Sequence, residues 1–318
     1  MGNRLAWYAL AVRDRKRNLD VLCSSEFKKE RDTSAIIRLV HSIEKGLCIE
    51  NPRLGFGAAK LDKLFALCNS YAAMFGSDEF CLKMARDVIK TYIAFHRERG
   101  FESEAFAKIC AAYENFPCKD TGEEEVFGGT LHIQNKCELS VEQLEAFFAS
   151  RHSIRDFEKR NISEETILRA VRAAQMAPSA CNRQAVRAYV LPSEKICELY
   201  ENDLDGIGGF AQSADKFIFI TGKVSAYVDW EYNQHIVSAS VFATYLMEAL
   251  LAMNIGACLV QRPLAYSKQW HSIAQKLGVP GDESLVLMMA VGYMKDVCTV
   301  PVSKRFPAEH IVKFLTDK

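Results

Sequence analysis

The chain lacks a net charge: forty Lys and Arg residues balance forty Asp and Glu over 318 residues. No global field of one sign is available to draw it to nucleic acid or to anionic lipid, so neither is expected as a partner. It also lacks a long apolar run. The stretch from Leu5 to Val12 is apolar but short, and it passes straight into Arg13, Arg15, Lys16 and Arg17 with no cleavage-like pattern, so it is a poor signal peptide. Nothing elsewhere approaches the roughly 20 apolar residues needed to cross a bilayer. The expectation is a cytoplasmic protein with no membrane association. Its eleven cysteines are odd in number and contain no Cys-x-x-Cys pair. That fits reduced, mostly buried thiols better than a disulfide framework or a zinc site, and no metal is expected. With 49% apolar and 25% charged residues the composition is that of a soluble globular chain rather than a disordered one. At this length two domains, each with ample core, are the prior.

Residues 1 to about 116 read as almost wholly helical, with no strand-like alternation. Ala59 to Met74 places Leu61, Leu64, Phe65, Leu67, Cys68 and Tyr71 on one stripe. Ser77-Asp78-Glu79 then starts a helix through Phe95, and the two form an expected antiparallel pair. Phe116-Pro117 ends the pattern, and the stretch to Lys136, with Thr121-Gly122 and Gly128-Gly129, reads as a connector. The expected domains are therefore 1–135, helical plus connector, and 136–318. From Ser140-Val141-Glu142-Gln143, which has capping-box spacing, helices alternate with β-branched or aromatic runs at Val186 to Leu191, Lys216 to Thr221 and Ser284 to Val291. This is an α+β pattern. The segment from about Glu231 to Asn254 is apolar round most of its face, more so than a surface helix would be.

Two segments carry the chemistry. Arg151-His152-Ser153-Ile154-Arg155-Asp156-Phe157 concentrates two guanidinium groups and a hydroxyl, enough to hold a phosphate by charge-assisted, partly bidentate hydrogen bonds. Further on, Ala177-Pro178-Ser179-Ala180-Cys181-Asn182-Arg183-Gln184 supplies a turn full of donors. Between them Ser163-Glu164-Glu165 caps a helix carrying Ile167, Leu168, Val171 and Ala174, which can bring both loops together. Together they look like a flavin site. Each has a plainer reading: Arg151 and Arg155 as surface cations paired with Asp156 or Glu158, and Pro178-Ser179 as a helix-ending turn. Cys181 reads as a small buried hydrophobe, His235 as a packing residue, and Gly206-Ile207-Gly208-Gly209 as a turn rather than a phosphate loop, because strand–turn–helix context is missing.

These residues resemble the nitroreductase-like family of flavin-dependent oxidoreductases, which opens with an Arg-x-Ser-x-Arg-x-Phe phosphate motif and continues to a Pro-Ser-x-x-Asn-x-Gln flavin loop. The resemblance extends through Gly256-Ala257-Cys258-Leu259-Val260-Gln261-Arg262 to Ser303-Lys304-Arg305-Phe306-Pro307, where Arg305 fits the family's basic pair and Ser303 departs from it. It implies a nitroreductase-like α+β fold, a central mainly antiparallel sheet flanked by helices, preceded here by an α-helical domain. FMN is the implied cofactor. Arg151, Ser153, Arg155 and Arg305, with His152 and Lys304 beside them, would surround its phosphate. Pro178, Ser179, Ala180, Asn182 and Gln184 would form the flavin loop, and a main-chain N–H near Gln261 or Arg262 would face N5. The resemblance further implies a homodimer with flavin at the subunit interface, NAD(P)H as electron donor, and a ping-pong transfer of hydride to a quinone, nitro compound or other conjugated small-molecule acceptor. No side chain is required as catalyst, because the flavin carries the chemistry. A flavin-binding carrier, sensor or interaction module without turnover is the alternative.

The N-terminal region contains His41-Ser42-Ile43-Glu44-Lys45-Gly46-Leu47 and then Asn51-Pro52-Arg53-Leu54-Gly55-Phe56-Gly57. One reading is a helix stopped by Gly46, followed by a loop. The other is that His41, Glu44, Lys45 and Arg53 reach the flavin face and select substrate, with the N-terminal helices acting as a lid.

Overall fold

A computed structural model describes residues 4–119, 122, 125–134, 136–200, 206–260 and 268–315. Five helices come first: α1 (Arg4–Cys23), α2 (Lys28–Leu47), α3 (Ala58–Phe75), α4 (Phe80–Arg97) and α5 (Glu104–Glu114). On α2, Ile36, Ile37, Val40, Ile43 and Leu47 recur at helical spacing and enter one core with Leu61, Leu64 and Tyr71 of α3 and Leu82, Val88, Ile89 and Tyr92 of α4. The expected α3–α4 pair is thus a three-helix arrangement, because α2 lies against both more extensively than they lie against each other.

Two small features lock this core. His96 is fully buried. Its Nε2 accepts the Gly55 N–H at 3.0 Å, so the proton sits on Nδ1, which donates to the Tyr92 carbonyl at 2.8 Å. Burial pushes the imidazole pKa down, keeping it neutral. Gly46 does not end its helix as expected. It lies inside α2, where a Cβ would meet the Phe56 ring at 2.2 Å, so its role is close approach rather than capping. The described parts of the connector also pack onto the helices: Phe127 N–H donates to Asp87 at 2.9 Å and Gly129 N–H to Glu44 at 3.2 Å.

The rest of the described chain runs α6 (Val141–Ser150), α7 (Glu164–Ala174), β1 (Val186–Pro192), α8 (Glu194–Leu199), β2 (Lys216–Lys223), α9 (Gln234–Leu251), β3 (Ile255–Val260), α10 (Lys268–Leu277) and β4 (Glu283–Tyr293). The capping box at Ser140 and Gln143 forms as its spacing predicts. The strands make one sheet in the order β1-β2-β4-β3, every neighbouring pair antiparallel. Alternate residues of β2 and β4 feed two cores. Phe217, Phe219, Met288 and Ala290 face Tyr200, Ile207 and Phe157. Ile218, Ile220, Leu287, Met289 and Val291 face α7 and α9 through Ala170, Ala174, Phe242 and Leu246. On α7 the inward position belongs to Ala170, while Leu168 is 52% exposed, contrary to the expected stripe. His235 is buried at the start of α9, and Gly222 leaves room for its carbonyl, which a Cβ would meet at 2.6 Å. No described helix is long and apolar enough to cross a membrane.

The segment before α7 is sewn to the β3 edge. Ser153 bridges Ala257 in parallel, Ile154 N–H donates to the Ala257 carbonyl at 3.1 Å, and Phe157 bridges Met294. Two glycines permit this approach: a Cβ at Gly256 would lie 2.7 Å from Ile154, and one at Gly292 2.7 Å from Phe157. Gly256→Ala should therefore cost about 1–3 kcal/mol by overpacking and lower the melting temperature. Gly209→Ala, where a Cβ meets nothing within 4 Å, is the control. Equal melting temperatures for both variants would contradict this account of the edge.

Candidate functional site

The Arg151–Phe157 segment leaves α6 at Arg151, which occupies its C-cap. The bridge from Ser153 to β3 fixes the backbone, Ile154 and Phe157 are buried, and Arg151 and Arg155 remain toward solvent. The plainer reading of these arginines fails on its own partner. Asp156 is taken by Lys295 at 2.6 Å, an interaction that also holds its carboxyl below the ordinary range. Among the described residues neither Arg151 nor Arg155 makes an ion pair. Arg155 has one contact, 3.3 Å to the Ser153 carbonyl, and lies 6.0 Å from the Phe210 ring. Two guanidinium groups thus flank the Ser153 hydroxyl in this segment without a carboxylate partner among the described residues. His152 is exposed beside them.

The second segment is strained. Cys181, Asn182 and Gln184 all have positive φ, at 53°, 53° and 50°. Asn tolerates this region, whereas Cys and Gln do so at a cost. The strain is held by Ser179, whose hydroxyl accepts the Gln184 N–H at 3.0 Å and whose carbonyl accepts the Asn182 N–H at 2.9 Å. It is held also by Arg183, which sequence reasoning passed over. Its guanidinium is buried and forked onto Glu231 at 2.7 and 2.5 Å, donates to the carbonyls of Ala226 and Ala180 at 2.9 and 3.0 Å, and lies 4.4 Å from the Tyr227 ring. Arg183 therefore turns inward while Asn182 and Gln184 on either side turn outward. Its partner lies far along the chain and carries no local signature.

The structure does not bring the two segments together within one chain, and this corrects the expectation that α7 closes them. The first lies beside Ala257 on β3, at the level of Val291, Lys216 and Pro192. The second enters β1 at Val186 on the opposite edge. Strand spacing and residue rise put them about 14 Å apart across the sheet and about 20 Å apart along it. No hydrogen bond, ion pair or ring contact among described residues joins them.

The remaining candidates are placed as follows. Gln261 and Arg262 lie outside the described residues, immediately beyond β3. Lys304 and Arg305 are exposed, Arg305 donating to the Ser303 carbonyl at 2.6 Å, and no described contact ties them to Arg151 or Arg155. His41 faces Glu44 at 3.5 Å, and Glu44 accepts the Gly129 N–H, so this carboxylate anchors the connector. Lys45 and Arg53 are exposed. It is instead Thr33 and Ile37 of α2, with Phe80, that line an apolar cleft with Pro178, Ser179 and Gln184.

The model of the nitroreductase family matches residues 148–208 and 200–293, the part of the chain that holds the antiparallel sheet and its flanking helices. Among solved structures, the chain is similar to an FMN-dependent nitroreductase from Clostridium difficile R20291 (23% identity, 54% of this chain and 98% of that one, TM-score 0.45). It is similar also to a nitroreductase family protein from Streptococcus pneumoniae TIGR4 (16%, 54% and 100%, 0.43) and to a nitroreductase-like family protein from Bacillus cereus (13%, 57% and 100%, 0.48). No curated protein matches the sequence.

Breaking the Arg183–Glu231 pair should be expensive, because it strands the buried Arg183 charge: Glu231→Gln is expected to cost about 3 kcal/mol in urea unfolding at neutral pH. Arg183 holds the Glu231 carboxyl below its ordinary 4.5. Its contribution is thus complete above that value and lost as pH falls through the lowered folded pKa. The variant should lose less stability than wild type over that acid range. Parallel losses would show that the pair does not set this acid dependence.

Proposed function

We propose that this chain is an FMN-dependent oxidoreductase that takes hydride from NADH or NADPH and passes it, in a ping-pong cycle, to a quinone, nitro compound or other conjugated acceptor. The single observation that carries the reading is the pair of uncompensated guanidinium groups on Arg151 and Arg155, locked to the sheet edge inside the part of the chain that the nitroreductase-family model matches. Residues of this kind at this place fit the phosphate of FMN. Bound flavin would supply the exchange of hydride, and the protein binding, orientation and electrostatics.

Arg151, Ser153 and Arg155 bind the phosphate, joined by Lys304 or Arg305 if the tail folds back. A backbone donor in the segment after Val260, near Gln261 or Arg262, would stabilise negative charge on the reduced ring without moving a proton itself. Asn182 and Gln184, turned outward by the strained loop, contact the ring of a flavin held by a second copy. The separation of the two segments supports that assignment, and so does the apolar surface left over. Ile236, Val237 and Tyr245 of α9 are exposed, α6 has no buried residue, and Phe306, Ile311, Phe314 and Leu315 near the C-terminus are exposed. A homodimer would cover such surface.

The direct test is anaerobic addition of NADH and then NADPH to protein carrying FMN. Bleaching of the flavin band by either donor is expected, whereas bound flavin that resists both would favour a carrier or sensor without turnover. Arg151→Ala and Arg155→Ala should each weaken FMN binding about 10- to 100-fold, the worth of a charge-assisted hydrogen bond. Unchanged FMN affinity in both would remove the phosphate assignment.

A further inference from the structure

A second cleft lies between α1, α2 and the segment Ser225–Trp230, well away from the Arg151–Phe157 segment. Its volume is about 450 Å³, within the range of small-molecule sites. Leu19, Leu22 and Ala35 make one apolar side, and Trp230, 75% exposed, stands on the other. An exposed indole of this kind is a ready stacking surface.

The charges of the wall are unevenly spent. Asp32 is paired with Lys28, and Arg183 is consumed by Glu231 and two carbonyls. Arg31 is held to the Val21 carbonyl at 3.2 Å. Arg38 is half-buried and acts on the Glu231 carboxylate through space, but that carboxylate is already forked by Arg183, and among the described residues Arg38 makes no hydrogen bond or ion pair, although a guanidinium carries five donors. Asp229 sits at the rim, where its carboxylate accepts the Trp230 main-chain N–H at 3.0 Å. Arg31 and Arg38 therefore outweigh the one carboxylate not matched by a cation, and the cleft is positive inside and aromatic at the mouth.

We propose that this cleft binds a small planar organic anion, its acidic group on Arg38 and its ring on Trp230. A carboxylate, sulfonate or phosphate on an aromatic ring meets both demands: two acceptor oxygens for the guanidinium fork and a face for the indole. Arg183 lies in the wall and also holds the strained loop Ala180–Gln184, so an occupant sits one side chain from that loop. The proposal does not rest on the flavin reading.

The test uses the full-length protein and two fluorescent probes of matched shape: 8-anilinonaphthalene-1-sulfonate, which is anionic, and N-phenyl-1-naphthylamine, which is neutral. Arg38→Gln is expected to weaken the anionic probe about tenfold and leave the neutral one unchanged. Arg38→Lys, which keeps the charge but not the fork, should fall between, and it guards against a loss of fold in the first variant. Trp230→Leu should weaken both probes. Wild-type protein that binds the sulfonate no better than the neutral probe, or Arg38→Gln that weakens the two equally, would overturn the proposal.

Discussion

The order of strands in the sheet is the constraint on which everything else depends. With β1 and β3 on opposite edges, the guanidinium-bearing segment and the strained donor loop emerge at opposite corners. Two buried strands, β2 and β4, lie between them and cannot move aside, because their alternate side chains fill cores on both faces. Each corner is rigid in its own way. Glycines at 256 and 292 let one segment lie flat on the sheet edge, while the fork from buried Arg183 to Glu231 holds the other in left-handed backbone. The proposed two-chain flavin site rests on this separation of the two segments.

The N-terminal helices are attached to this frame at several points. Arg17 of α1 donates to the Glu283 carbonyl and the Ser284 hydroxyl at 2.5 and 2.8 Å, Tyr232 donates to Asp14 at 2.5 Å, and α2 lies against the Ala180–Asn182 turn. They therefore buttress the donor loop from behind. Of the side chains proposed from sequence to select substrate, Glu44 accepts a connector N–H and His41 lies against Glu44, while the residues of α2 that line a cleft with the loop are Thr33 and Ile37.

Much of this was legible in the sequence, for identifiable reasons. Helix starts at Ser140 and Ser163 follow from local capping chemistry, and β2 and β4 show as apolar runs because both faces are covered. The Arg151–Phe157 segment stands out in the sequence because its charged residues are contiguous. What was not legible depends on distant pairs. Nothing local distinguishes Gly46, which accommodates a ring ten residues on, from a helix-ending glycine. Arg183 looked like one more loop residue because Glu231 is remote. The opposite placement of the two loops follows from strand order, which no single segment encodes.

The central claim is that one flavin site is built from two chains, and subunit complementation tests it most directly. A chain with Arg151→Ala and Arg155→Ala is combined with a chain carrying Asn182→Ala and Gln184→Ala, and bound FMN is measured after the two are unfolded together and refolded. Each mixed dimer would hold one intact and one doubly defective site, so FMN binding absent from either variant alone should reappear in the mixture. If the mixture binds no more FMN than its separate components while mixed dimers are demonstrably formed, the two segments do not share a site across subunits.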